Sequence, residues 1–161
     1  MASDYLLEIE GIKGESHDDK HRDFIEIESF SWGASHPGSF AAGGGGGTGK
    51  VSYQDVHFVT PVSKASPILA LSCSTGKHIK FANLIVRKAG GKQEEFYKLK
   101  IEDVMVSSYQ SGAHAGSGQY PTDQFALNFA KIEFEYAPQD EKGGLTGKVA
   151  FKYDVKANKA G

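Results

Sequence analysis

The sequence predicts a mainly β fold: an antiparallel β-barrel of two packed sheets with one short α-helix. Three observations lead there. Runs rich in β-branched and aromatic residues recur along most of the 161 residues, separated by glycine-rich or polar turns. Several runs change the parity of their apolar positions part-way, as a strand does when it bends to serve two layers. Only Ser63–Thr75 carries helix signals at both ends. The length suits one domain over residues 1–161 with a sizeable core, and neither an internal repeat nor a domain linker is evident.

Tyr5–Ile12 is the first predicted strand, stopped by Gly11 and Gly14, and the polar stretch Ser16–Arg22 leads to a second at Phe24–Gly33. There Ile25 and Ile27 share one face while Phe30 and Trp32 have the opposite parity, which predicts a β-bulge near Glu28–Ser29. Residues 34–50 form a flexible inter-strand loop rich in Gly, Ser and Ala, and Val51–Thr60 resumes as strand. Ser63 is placed to cap the helix and Gly76 to end it in the left-handed conformation. Ala65, Ile68, Leu69 and Ser72 trace its apolar stripe. Ile79–Lys88 and Glu94–Ser108 flank Ala89-Gly90-Gly91-Lys92, a hairpin signal. Tyr97, Leu99 and Ile101 share a phase that Val104 and Val106 do not, so a second bulge is expected. After the glycine-rich loop Gln110–Pro121, the strand Thr122–Ala137 has Phe125, Leu127 and Phe129 in one phase and Ile132, Phe134 and Tyr136 in the other. Beyond the polar turn region Gln139–Gly147, Lys148–Lys156 alternates cleanly, with Val149, Phe151, Tyr153 and Val155 inward and the lysines outward.

Composition narrows the function. Twenty acidic residues against eighteen basic ones give a net charge of −2 without a long block of one sign, so no electrostatic case arises for nucleic acid or an anionic membrane. Cys73 is the one cysteine, so no intrachain disulfide can form, which fits synthesis in a reducing cytoplasm. The start, Met-Ala-Ser-Asp-Tyr-Leu-Leu-Glu-Ile-Glu, lacks the basic and apolar regions of a cleaved signal peptide. No apolar stretch approaches the roughly 20 residues of a membrane span. Export would need a route without a cleaved leader.

The five glycines Gly43–Gly47 raise the one catalytic possibility. From Gly44 the chain spells G-x-x-x-x-G-K, close to a phosphate-binding loop. Val51 stands where that motif needs Ser or Thr for magnesium, a strand follows where a helix must begin, and no strand immediately precedes the glycines. His17 and His21 are spaced i, i+4 in a polar inter-strand stretch and read as surface histidines; His57 shares phase with Tyr53 and Val59 and could be a half-buried core histidine. Gly112-Ala-His-Ala-Gly116 has the frame of a nucleophile turn without its serine, and Cys73 reads as a small buried apolar residue. No catalytic residue, metal ligand or cofactor site is predicted, so the chain reads as a non-enzyme.

Ordered landmarks resemble a known family. They are Ile-Lys-Gly-Glu-Ser at 12–16, Ser-Phe-Ser-Trp-Gly at 29–33, the glycine run ending in Gly-Lys-Val at 49–51, and Ser66-Pro67 leading through the helix to Cys-Ser-Thr-Gly-Lys-His at 73–78. Ile-Val-Arg-Lys-Ala-Gly-Gly at 85–91, Val-Ser-Ser at 106–108 and Leu-Asn-Phe-Ala-Lys-Ile at 127–132 complete the set. Together they are similar to the haemolysin-coregulated protein (Hcp) family, the tube protein of the bacterial type VI secretion system. The resemblance implies a tail-tube-like barrel that forms homo-hexameric rings. Those rings stack into a tube, carry effector proteins in the lumen, meet a spike protein at the tip and lie inside a contractile sheath. It also implies a protein that is cytoplasmic before assembly and extracellular afterwards.

In those terms the loop of Ala41, Ala42, Gly43, Gly44, Gly45, Gly46, Gly47, Thr48, Gly49 and Lys50 is the ring-stacking element, and Ser31 is the lumen residue that meets effectors. Phe30 and Trp32 belong to the core or a subunit contact. Strands with apolar residues on both parities offer more hydrophobic surface than one core uses, which also suits subunit contacts. Two other readings stand beside this one: a phage-derived tail-tube subunit, and a monomeric ligand-binding β-barrel.

Overall fold

In the computed structural model, which describes residues 3–38, 49–88, 92–140 and 144–161, the adjacent residues Ile27 and Glu28 hydrogen-bond into different sheets. The strand β1 (Ser3–Ile9) pairs antiparallel with β2 (Ile25–Glu26) on one side and with β7 (Ile79–Lys88) on the other. Ile27 N–H still donates to Tyr5 O at 2.9 Å, whereas Glu28 N–H donates to Val59 O at 2.8 Å. From there β3 (Ser29–Ser31) runs against β6 (Val56–Pro61). The parity change read from sequence as a bulge inside one strand is thus a handover between two short strands.

Two further handovers complete the scheme. The 18-residue β8 (Glu95–Gly112) pairs with β7 and β10 (Lys131–Tyr136) in its first half and with β9 (Thr122–Asn128) in its second. Asp103, with φ +54°, sits at the change; it lets Ile101 and Val104 both point inward despite opposite parity. This is the second predicted bulge. The predicted strand Thr122–Ala137 is likewise two strands, parted at Phe129-Ala130, where Ala130 N–H donates to Glu102 O at 3.0 Å. Pairing runs from β3 through β6, β9, β8, β7 and β1 to β2, and the chain itself, at Ile27-Glu28, links β2 back to β3 to complete a circuit.

Within the circuit lie Leu7, Ile25, Val56, Phe58, Leu84, Leu99, Phe125 and Leu127, with Phe58 and Phe125 stacked at 5.2 Å. Each fully buried large side chain contributes about 1.5–3 kcal/mol. Outside the circuit, β10 is extended by β11 (Val149–Asp154) and the short β12 (Lys159–Ala160). A separate arm pairs β4 (Ala34–Ser35) with β5 (Ser52–Tyr53). The hairpin residues 89–91 lie outside the described residues, as do 141–143 of the polar turn region.

The helix α1 spans Ser66–Thr75, three residues shorter at its start than the sequence predicts. Pro67 stands in its first turn, where a missing N–H costs nothing. Ser63 and Ser66 satisfy the entry instead: Ser63 Oγ accepts from Ala65 N–H at 3.2 Å and Ser66 Oγ from Ser63 N–H at 3.0 Å. Gly76 ends the helix with φ +63°, as expected, and Lys77 N–H closes on Ser72 O at 3.1 Å. Ser66, Leu69 and Ser72 face inward, but Ile68, placed on the buried stripe by the sequence, is 40% exposed. Asp123, 1% exposed, ties the helix to the sheet by accepting hydrogen bonds from the Ser66 hydroxyl and, at 2.7 Å, from the Tyr109 hydroxyl. Burial, reinforced by the Asp123 carboxylate, pushes the Tyr109 phenol up.

His17 is exposed as read, but the readings of His21 and His57 reverse. His57 is exposed, because its parity in β6 turns it away from the core. His21 is buried, with Nδ1 3.0 Å from Asp18 and Nε2 2.6 Å from Glu95. Arg87, itself buried, donates to Asp18 at 2.7 Å and to Asp4 at 3.3 Å, so the 16–22 loop is clamped to β1, β7 and β8. The Arg87 hydrogen bond holds the Asp18 carboxyl far below the usual carboxylate range.

Because that acidity is depressed in the folded state, the Asp18 contribution to stability is complete above about pH 5 and is lost progressively as the pH falls toward the folded value. Replacing Arg87→Met strands two carboxylates and is expected to cost about 3 kcal/mol at neutral pH. Urea melts of both forms across the acid range check this. The variant should show a flatter acid slope, and an unchanged slope would contradict the clamp.

Candidate functional site

Alternation in β3, β6, β9 and β8 sends Phe30, Phe58, Phe125 and Tyr109 inward and turns the other parity outward, where the small Ala126 is nonetheless buried. Register places Ser31 opposite His57, followed by Ala126 and Ser108, with Ser29, Val59, Gln124 and Gln110 as the next row. Ser31, the sequence-predicted lumen residue, is therefore an exposed side chain on the outer face of a four-stranded sheet. Within these paired segments there is no lysine, arginine or glutamate, and their one aspartate, Asp123, is buried. At the end of the face the Asp55 carboxylate accepts from Ser107 Oγ at 2.6 Å and Asn128 Nδ2 at 2.8 Å. This sheet has two unlike edges, β3 on one side and the second half of β8 on the other.

The outer face of the other sheet is built oppositely. Lys100, Glu133 and Lys152 form one row across β8, β10 and β11, and Glu102, Lys131 and Asp154 form the next, continued by Lys159 of β12. Opposite charges stand across each strand pair, which favours this register over a slipped one. Exposed pairs such as Lys148–Glu135 at 3.2 Å each contribute about 0–1 kcal/mol.

A third surface lies where β10 and β11 extend past the circuit. The sequence places Val149 and Phe151 inward, and the parity is right. Yet Val149 is 69% exposed, while Phe151 and Tyr136 stand open beside it, because no second sheet among the described residues covers this end. Phe134, half-buried next to them, packs on Trp32 at 5.4 Å, and Trp32 Nε1–H donates to the Tyr97 hydroxyl at 2.8 Å. Phe30 meets Tyr5 at 5.6 Å and Tyr97 at 5.5 Å. Both aromatic residues of the Ser-Phe-Ser-Trp-Gly segment thus serve the protein's own packing.

Of the expected stacking loop, Ala41, Ala42, Gly43, Gly44, Gly45, Gly46, Gly47 and Thr48 lie outside the described residues. Gly49 and Lys50 are at the base of the β4–β5 arm, where a side chain at Gly49 would meet the Pro37 ring at 3.0 Å and Lys50 is exposed. The chain after Lys50 continues into β5 rather than a helix, which removes the anion site that a phosphate loop requires.

A family model described as "Type VI secretion system effector, Hcp" matches residues 6–136. The chain belongs to the Hcp family. It is 39% identical over 160 residues to Protein hcp1 of Pseudomonas aeruginosa, covering 98% of each chain. Its fold matches a solved type six secretion system protein with a TM-score of 0.93 and 29% identity, over 99% of this chain and 100% of that one. Hcp1 from Salmonella typhimurium gives 0.80 and 32%, over 99% of both chains. Hcp membership establishes a type VI secretion tube protein and leaves open which surfaces of this chain do the work. Beside Ser31 the same face carries His57, Gln110 and Gln124, which the sequence reading did not group with it. The signal was available, since two strands of alternating pattern carry polar but uncharged residues on their outward parity.

Proposed function

We propose that this protein is a hexameric ring subunit whose rings stack into the inner tube of a type VI secretion machine and carry effector proteins in the lumen. The observation that carries this reading is the sheet with a charge-poor outer face and two unlike edges. A ring needs a head-to-tail contact between different surfaces, and edges formed by β3 and β8 offer such a pair. Repeated around a closed ring, the outer face of this sheet becomes the lumen wall, with Ser31 on it. The open apolar end at Tyr136, Val149 and Phe151 is the second contact, covered by the neighbouring subunit. The segment between β4 and β5, including Gly49 and Lys50, stacks one ring on the next. A spike protein at the tip and a surrounding sheath complete the partners. The protein is cytoplasmic before firing and is then delivered outside the cell. No helix among the described residues is long and apolar enough to cross a membrane.

Electron microscopy of the purified protein tests the assembly directly: six-fold rings are expected, and a uniformly monomeric sample at micromolar concentration would overturn it. Substituting Val149→Ser and Phe151→Ser should change monomer stability by no more than about 0.5 kcal/mol each, since both are exposed, yet shift light-scattering mass from ring to monomer. Deleting Gly43–Gly47 should leave single rings intact and abolish their stacking; loss of the rings themselves would displace the segment from the stacking contact. Ser31→Glu should spare assembly and lower effector retention in pull-downs, and unaltered retention would remove Ser31 from the cargo surface.

A further inference from the structure

Resting on the lumen placement above, we infer that the outer face of the β3–β6–β9–β8 sheet holds protein cargo through neutral hydrogen bonds and selects surfaces that are polar but poor in charge. The contrast within one molecule carries the argument. The β8–β10–β11 face presents lysine against glutamate or aspartate in row after row, while the paired segments of the other sheet expose no lysine, arginine or glutamate. On their outward parity they expose Ser29, Ser31, Ser108, Gln110, Gln124 and Asn128, with Met105 the one large apolar side chain and His57 the one ionisable side chain among them. The carboxylates bordering the face are Asp55, which accepts from Ser107 and Asn128, and Glu28, exposed just before Ser29.

The consequences follow from elementary electrostatics. Serine hydroxyls and glutamine amides both donate and accept, so they match exposed backbone and neutral polar side chains in either orientation. A lysine or glutamate of the cargo pressed onto this face would lose hydration and meet no counter-charge, which disfavours it. Without charges there is no long-range steering, and retention does not weaken as salt is added. Individual contacts of this kind are weak; repetition around the ring supplies the hold through effective concentration. Cargo can then be gripped by many small contacts and released without breaking a strong one.

The test uses assembled rings of the full chain and one small monomeric protein made in three surface versions: neutral and rich in Ser, Thr and Gln, strongly acidic, and strongly basic. Co-sedimentation is read at about 50 and about 500 mM NaCl, a range over which the screening length falls severalfold. The neutral version should be retained best, with less than about a twofold change across that range. A Gln110→Lys/Gln124→Lys double variant should acquire a hold on the acidic version that salt abolishes. Ser31→Lys, on a different strand, repeats the experiment should the double variant fail to assemble.

If wild-type rings already prefer a charged version and lose it in salt, while the lysine variants still shift the preference, the inference falls and the lumen placement survives. Retention of none of the three versions also overturns the inference. Lysine variants that form rings yet behave as wild type show that cargo does not meet this sheet, and then the lumen placement itself is wrong.

Discussion

The constraint on which this fold depends is that three chain segments must each serve two sheets around one core. A strand shows alternate residues to opposite faces, so a segment that crosses from one sheet to the other must shift phase or bury its polar side. Ile27-Glu28, Asp103 and Phe129-Ala130 are the three places where the shift occurs. Each is anchored by a backbone hydrogen bond into, or a special conformation at, the joint. With these in place, Ile25, Phe58, Ile101, Val104 and Ile132 reach one core from segments whose parities disagree.

That constraint also explains what the sequence disclosed. The three phase changes are visible as parity breaks because hydrophobic side chains report which face is inward. What parity does not report is whether the break is a bulge within one strand or a transfer between two, since the side-chain pattern is the same. The helix end at Gly76 was legible because only a residue without a Cβ adopts that backbone cheaply; the helix start was not, because Ser63, Ser66 and Pro67 all carry start signals. Val149 and Phe151 were assigned the right side and the wrong burial. Their exposure is decided by where the other sheet ends, a fact held in no local stretch of chain. His21 looked like a surface residue because Glu95, the partner of its Nε2, is distant in sequence, on β8.

The two sheets divide the chemistry of the surface. One outer face spends its polarity on paired charges that fix strand register, and the other is nearly free of charge. The edges, the apolar end and the arm lie on different parts of the molecule, so substitutions can alter each without touching the others. Family membership accounts for the fold and the secretion system; the distribution of charge is what distinguishes one surface of the chain from another.

The placement of β1 has a consequence for how the chain is made. Residues 3–9 pair along their whole length with residues 82–88, and the circuit closes only when β9 reaches β6 and β8. A nascent chain therefore carries its first strand unpaired on one edge until more than half of the protein has left the ribosome. Pairings so distant in sequence make folding slow relative to helical proteins of this size. The apolar run Tyr5–Ile9 stays open to chaperones, or to another copy's strand edge, throughout that interval.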